Sequence, residues 1–374
     1  MRIGLLTLPF NNNYGGFLQA YALMTVLKQM GHDVELINRR ANKPAIKQRV
    51  IYSLKTIVKI LLRMPHGALI MNHERDLKIQ GCNMISFVEK YITPKTKPFY
   101  STMQMKKECE GRYDIVVVGS DQIWRPIYVS QIEDFFLEFI TDPHVKKISY
   151  AASFGTATPE YTDVEIQRCK KLIADFAAVS VREKSGLDTI KNFGWKTQIP
   201  PQVVLDPTFL LSKENYDDIV SIKKSSVPKK RICCYVLDDS SIVDDIIRKI
   251  ESNLNLPSFN IIDDKKDNSP KPSIEDWLDN IKNSSFVMTD SFHGMVFSII
   301  FNTPFAVFIN RSRGADRFDS LLSQLGIEGR TCANVEDVEH VMSTPINWAK
   351  VNQKLSSLIE YSKMFLENSI KQVL

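Results

Sequence analysis

The chain lacks the cysteine spacings that mark a metal site or a disulfide framework. Cys82, Cys109, Cys169, Cys233, Cys234 and Cys332 form no CxxC pair, and no histidine stands at metal-ligand spacing from them. No structural zinc or cofactor is expected, and scattered thiols suit a reducing compartment. Long apolar runs are also missing. The longest, Met295 to Ile309, is broken by Ser298, Asn302, Thr303 and Pro304, so it lacks the continuity of a transmembrane helix. Met1 to Phe10 is apolar after Arg2, but Pro9 and the asparagines that follow cut it short of a signal peptide. Neither a concentrated basic stripe nor an aromatic-interleaved motif is present, which argues against nucleic acid as a partner. Internal repeats and low-complexity tracts are absent.

What is present is a soluble globular composition. The 374 residues exceed the usual size of one core, so two domains are expected. Hydrophobic residues make up 44% and charged residues 24%, which excludes a disordered chain. The net charge of +5 permits anionic ligands or a weak pull toward acidic membrane surfaces without demanding either.

Buried-strand patterns alternate with helical ones along the chain. Ile3 to Leu8 leads through the Asn-rich turn Asn11 to Gly16 into a helix ending at Gly31, and Val34 to Ile37 resumes a strand. That is a βαβ start of the Rossmann-like sort, although its glycines do not match GxGxxG. Backbone NH groups of the Tyr14-Gly15-Gly16 turn could meet a sugar or phosphate; an ordinary tight turn explains it as well. Ala45 to Ile70 has the spacing of a basic amphipathic helix, either touching anionic lipid or simply a solvated surface helix. Further strands are expected at Asp114 to Val118, Lys147 to Ala151 and Ala177 to Val181. After Pro200-Pro201 a second domain is expected, with strands at Ile232 to Leu237, Phe259 to Ile262, Phe286 to Met288 and Phe305 to Ile309. The division implied is an N-terminal domain over 1–200, a C-terminal domain over 201–346, and a helix over 347–374 packing back across both.

The stretch Phe286 to Phe301 draws most attention. Phe286-Val287-Met288 followed by Thr289-Asp290-Ser291-Phe292-His293-Gly294 and a long apolar run reads as strand, tight turn, helix. Asp290 and Ser291 are N-cap types, and Gly294 would let a ligand approach the backbone, so His293 should lie in the first helical turn, where an anion is favoured. A histidine that merely caps or packs fits the same pattern.

Several strand-end turns occur in a recognisable order. They are Asn13 to Leu23, Gly119-Ser120-Asp121-Gln122-Ile123-Trp124, Ser149 to Gly155, Ser180-Val181-Arg182-Glu183, Asp206-Pro207-Thr208 and Thr289 to Gly294. Together they make the chain resemble the polysaccharide pyruvyl transferase family over nearly its whole length. The resemblance implies two Rossmann-like doubly wound domains in a GT-B-like arrangement with a cleft between them. It also implies transfer of pyruvate from phosphoenolpyruvate to a sugar of a capsule, exopolysaccharide or other cell-surface glycan precursor, as a cyclic ketal with release of phosphate. His293 matches the family's active-site histidine, and Arg182 an arginine serving phosphoenolpyruvate. Many members carry an arginine two places before that histidine. Here the position holds Ser291, and Arg311, Arg313 and Arg317 could supply the missing cation.

A donor bearing a carboxylate and a phosphate needs clustered guanidinium or backbone NH groups. Ketal formation needs a proton for the donor methylene, a base for the sugar hydroxyl and a stabilised departing phosphate. His293 is the candidate for proton transfer or phosphate contact, with Asp290 and Asp121 second candidates for the base. Tyr14, Gly15, Gly16, Gln19, Ser120, Trp124 and Phe154 are candidates for the acceptor side, and core packing explains the aromatic ones equally well. Donor contacts should come mainly from the second domain plus Arg182, with domain closure excluding water. The acceptor would be a glycan or a lipid-linked or nucleotide-linked sugar. The expected location is the cytoplasm, free or peripheral at the inner face of the membrane. Two other functions remain open: a nucleotide-sugar-dependent glycosyltransferase, and a non-catalytic glycan-binding or assembly protein whose donor site has decayed.

Overall fold

The computed structural model describes residues 1–10, 13–42, 46–62, 80–221, 230–238, 240–262, 270–309 and 314–371. Two parallel sheets organise it. The first runs β2-β1-β3-β4-β5-β6, from β1 (Arg2–Leu6), β2 (Asp33–Ile37), β3 (Ile115–Val118), β4 (Lys146–Ala152), β5 (Phe176–Val181) and β6 (Gln202–Val203). The second runs β11-β10-β9-β7-β8, from β7 (Ile232–Tyr235), β8 (Ser258–Asn260), β9 (Phe286–Thr289), β10 (Phe305–Phe308) and β11 (Thr331–Cys332). Each expected strand is found to within a few residues. Gln202–Val203 pairs with β5 in the first sheet, so the chain crosses to the second half after Val203 rather than at 201.

Both faces of each sheet are apolar, as parallel sheets covered by helices require. Ile3, Leu5, Ile115 and Val117 enter one cluster, whereas Leu6, Val116 and Val118 enter another on the opposite face. In the second sheet Cys233, Val287 and Val307 join the first of these clusters, and Ile232, Met288 and Ala306 form a third. One apolar core therefore runs continuously from β1 to β10. Tyr14 sits at its middle: fully buried, its ring stacks on Trp277 at 5.3 Å and its hydroxyl donates to the Pro272 carbonyl at 2.8 Å. The helix Tyr14–Gln29 of the first half is thereby fastened to the helix Ile274–Asn283 of the second.

The helix Trp348–Lys371 closes the chain against both halves. The Leu205 amide donates to Ser362 Oγ at 3.0 Å, and Phe365 meets Tyr150 of β4 at 6.4 Å between ring centroids. On the other side Lys354 lies beside Gly326, at the end of the helix Asp316–Leu325.

Because Tyr14 bridges the halves from a fully buried position, Tyr14→Ala should lower the unfolding free energy by about 3 to 5 kcal/mol, against about 1 kcal/mol for Tyr14→Phe. Equilibrium urea unfolding measures both.

Candidate active site

The carboxyl ends of the two sheets face a common cavity of about 300 Å³. Its walls include Pro9, Asn13, Gly16, Asp121 and Gln122 from the first half and Asp290, Ser291, Phe292, His293 and Arg317 from the second. That volume is at the small end of ligand pockets, roughly 300 to 1,000 Å³.

His293 is the second residue of the helix Phe292–Phe301, whose N-cap, Ser291, accepts a hydrogen bond from the Gly294 amide at 3.4 Å. The imidazole crosses to the first half and fills the notch left by a missing side chain. A Cβ on Gly15 would fall 1.9 Å from its Nδ1 and 2.2 Å from its Cγ. At 4% exposure its Nε2 makes no hydrogen bond among the described residues, yet lies 3.5 Å from Asp206 Oδ2.

Asp206 joins the segments. It caps the 3-10 turn Pro207–Leu210, with Oδ1 accepting from the Thr208 amide at 3.1 Å and the Thr208 hydroxyl at 2.7 Å. Oδ2 accepts from Ser120 Oγ at 3.0 Å and from Arg182 Nη1 at 2.7 Å. Burial alone would push this carboxyl up; the facing His293 imidazole and the Arg182 guanidinium more than offset it and hold it well below the usual carboxylate range. Arg182, 5% exposed, reaches Asp121 Oδ1 at 3.4 Å with its other terminal nitrogen, and its Nε has no partner among the described residues. Burial pulls the Arg182 guanidinium down, and Asp206, Asp121 and Glu183 more than restore it.

A second guanidinium lies close by. Arg182 stands 4.5 Å and Arg317 5.5 Å from the centroid of the same Phe292 ring. Burial and the neighbouring Arg182 bring the Arg317 guanidinium down to about 10. Arg317 lines the cavity, whereas Arg182 lies buried outside its wall, paired with Asp206 and Asp121. Arg317 begins the helix Asp316–Leu325; Arg311 and Arg313 lie outside the described residues.

Other candidates sort by geometry. Asp121 lines the cavity, its Oδ2 4.0 Å from the point where a Gly16 Cβ would stand, with a left-handed backbone (φ 71°) uncommon outside glycine. Asp290 also lines the cavity, but its two oxygens accept from the Leu237 and Asp238 amides at 2.8 and 3.0 Å, so it fixes the turn after β7 and is poorly disposed to act as a base. Ser120 holds Asp206 instead of facing the cavity. Five candidates are corrected outright. Tyr14 and Trp124 are core: both are fully buried, and Trp124 stacks on Phe136 at 4.8 Å and donates its Nε1–H to the Phe135 carbonyl at 3.0 Å. Gln19 turns to Thr7 and the Gly16 carbonyl, and Phe154 packs on Trp124 and Trp195. Gly294 gives room to its own strand, since a Cβ there would fall 2.3 Å from Thr289 Oγ1. Asp206 carries no expected role from its Asp206-Pro207-Thr208 motif; the signal that could have found it is a carboxylate just after a strand end, beside a proline.

The family model "Polysaccharide pyruvyl transferase" matches residues 13–312. No protein of curated function matches the sequence. Solved structures similar to the chain include UDP-N-acetylglucosamine 2-epimerase from Rickettsia bellii, with TM-score 0.53 and 10% identity over 100% of this chain and 97% of that one. UDP-GlcNAc 2-epimerase from Methanocaldococcus jannaschii matches with TM-score 0.51 and 12% identity over 93% of each chain. The enzyme of that name from Neisseria meningitidis, bound to UDP-GlcNAc, matches with TM-score 0.50 and 9% identity over 99% of this chain and 100% of that one. At such identities the likeness shows the fold alone: two Rossmann-like α/β domains in a GT-B-like arrangement.

Removing Asp206 leaves Arg182 buried with only the longer contact to Asp121, so Asp206→Ala should destabilise the protein by about 3 to 5 kcal/mol. Its folded carboxyl lies below the unfolded value of about 4. The stabilisation is therefore complete above that value and is lost as pH falls through the depressed folded one. Urea midpoints of wild type and variant should stay equally far apart between about pH 8 and pH 5 and converge only in stronger acid.

Proposed function

The chain belongs to the polysaccharide pyruvyl transferase family, and from that premise we propose that it transfers pyruvate from phosphoenolpyruvate to two hydroxyls of a glycan-precursor sugar, releasing phosphate. The observation that carries this reading is the meeting of His293 and Arg317 at the wall of one small cavity, with the buried Arg182 against the same Phe292 ring and paired with Asp206, which faces the imidazole. Arg317 supplies the cation that Ser291 does not, reaching the cavity from the next helix. Arg182 is paired with two carboxylates, Asp206 and Asp121, and orients Asp206 from outside the cavity wall.

The chemistry follows from these assignments. A proton from His293 goes to the donor methylene, and the electron-poor C2 accepts the oxygen of the first sugar hydroxyl, whose proton passes to a base. The second hydroxyl then forms its bond to C2 as the C2–O bond to phosphate breaks, with its proton leaving on the phosphate. Two C–O bonds form, one breaks, and the methylene becomes the ketal methyl. Asp206 is a positioning residue: contact with Nε2 fixes the ring so that Nδ1 is the nitrogen left for proton transfer. Asp121 is the nearer choice of base, since Asp290 already holds two amides. Gly16 beside Asp121 leaves space for the sugar.

With phosphoenolpyruvate and galactosyl, mannosyl or N-acetylhexosaminyl acceptors, wild type should release phosphate only when an acceptor is present. His293→Ala should abolish turnover while leaving glycan binding intact. Arg317→Ala should raise KM for phosphoenolpyruvate about tenfold or more, the usual loss for one charge-assisted contact. Gly15→Ala should cost kcat more than KM, because its Cβ displaces the imidazole. Silence over a broad acceptor panel, or binding of a uridine or guanosine diphosphate sugar with none of phosphoenolpyruvate, would overturn the reading in favour of a glycosyltransferase. Glycan binding without turnover by either donor would favour a non-catalytic role.

A further inference from the structure

The helix Ile46–Leu61 reverses the usual rule that an amphipathic helix lays its apolar stripe on the core. Thr56, 4% exposed, is the residue turned inward, with Tyr52 and Ser53 half-buried. Val50, Leu54, Ile57 and Val58 share one stripe at i, i+4, i+7 and i+8, and they are 52%, 57%, 41% and 52% exposed. At about 100° per residue that stripe is centred opposite Thr56. Contiguous aliphatic surface of this kind marks an interaction site.

Charge decides the occupant. From residue 40 to residue 73 the chain carries seven Lys or Arg and no Asp or Glu. A second copy docked by the same face would set like charges against each other. Single-stranded nucleic acid would need stacking rings, and this stripe is aliphatic. An anionic lipid surface suits both features: the stripe enters the acyl boundary and the cations meet the headgroups. The position is consistent too. β2, the edge strand of its sheet, ends at Ile37 beside Leu6, two residues before the cavity wall residue Leu8, and the Asn42 amide then donates to Ser130 Oγ at 3.1 Å. Two residues before Ser130 is Tyr128, a cavity wall residue 46% exposed, next to Ile127 at 60%.

We infer that the helix Ile46–Leu61 is an interfacial anchor that seats the protein on an anionic lipid surface. If the transfer proposed above is correct, the anchor also holds the cavity near a lipid-linked acceptor; lipid binding itself does not depend on that reading. Full-length protein is to be sedimented with vesicles of phosphatidylcholine alone and of phosphatidylcholine with about one-third phosphatidylglycerol. Binding is expected only to the anionic vesicles, falling about tenfold between roughly 0.1 and 0.5 M salt. Leu54→Glu with Val58→Glu should abolish it, leaving the thermal midpoint and any phosphate release with a soluble acceptor unchanged. Absence of binding, equal binding to neutral vesicles, or binding retained by the double variant would overturn the inference. So would a dimer in solution that the double variant dissolves, since that makes a second copy the occupant.

Discussion

A carboxylate without solvent governs this molecule. Placing Asp206 at 1% exposure would cost several kcal/mol were it not fully satisfied. Thr208 satisfies one oxygen locally, and the groups at the other come from elsewhere in the chain: Ser120 after β3, Arg182 after β5, and the His293 imidazole from the other half. The ends of two strands and the start of one helix are thus held in register by a charge that cannot be left alone. Asp121, drawn to the same guanidinium, accepts a left-handed backbone in return.

Two guanidinium groups gather at the same place. Arg182 has carboxylate partners at 2.7 and 3.4 Å, while Arg317, over the same Phe292 ring, is depressed by burial and by Arg182 itself. Cation–π contact with Phe292 steadies both groups. On the proposed reading, Arg317 at the cavity wall gives the site its preference for a ligand carrying negative groups. Ser291, lacking a charge, caps its helix and leaves that preference to residues further along.

Much of the fold was legible because burial on both sheet faces writes itself as continuous apolar runs, as in Ile115 to Val118 and Phe286 to Met288. Helix starts were legible where an Asn or Ser precedes the run, as at Asn13 and Ser291. The short strands β6 and β11, two residues each, carry too little pattern to be seen. In the site, His293 and Arg182 stood out through motif position. Tyr14 and Trp124 stay open between wall and core in the sequence because an aromatic ring near a strand end looks alike in both; only the partners, Trp277 and Phe136, decide. Asp206 was passed over for a related reason. Its importance lies in groups 86, 24 and 87 positions away, and no local spacing encodes that.

The notch at Gly15 has an implication for how such a protein can diverge. The ring that would carry the proton is shaped on one side by a hydrogen atom belonging to the opposite half, so the reactive geometry is partly a property of empty space. Drift at that position would evict the imidazole without touching a single reactive group. A catalogue of chemically capable side chains would therefore overlook one of the residues that the chemistry can least spare.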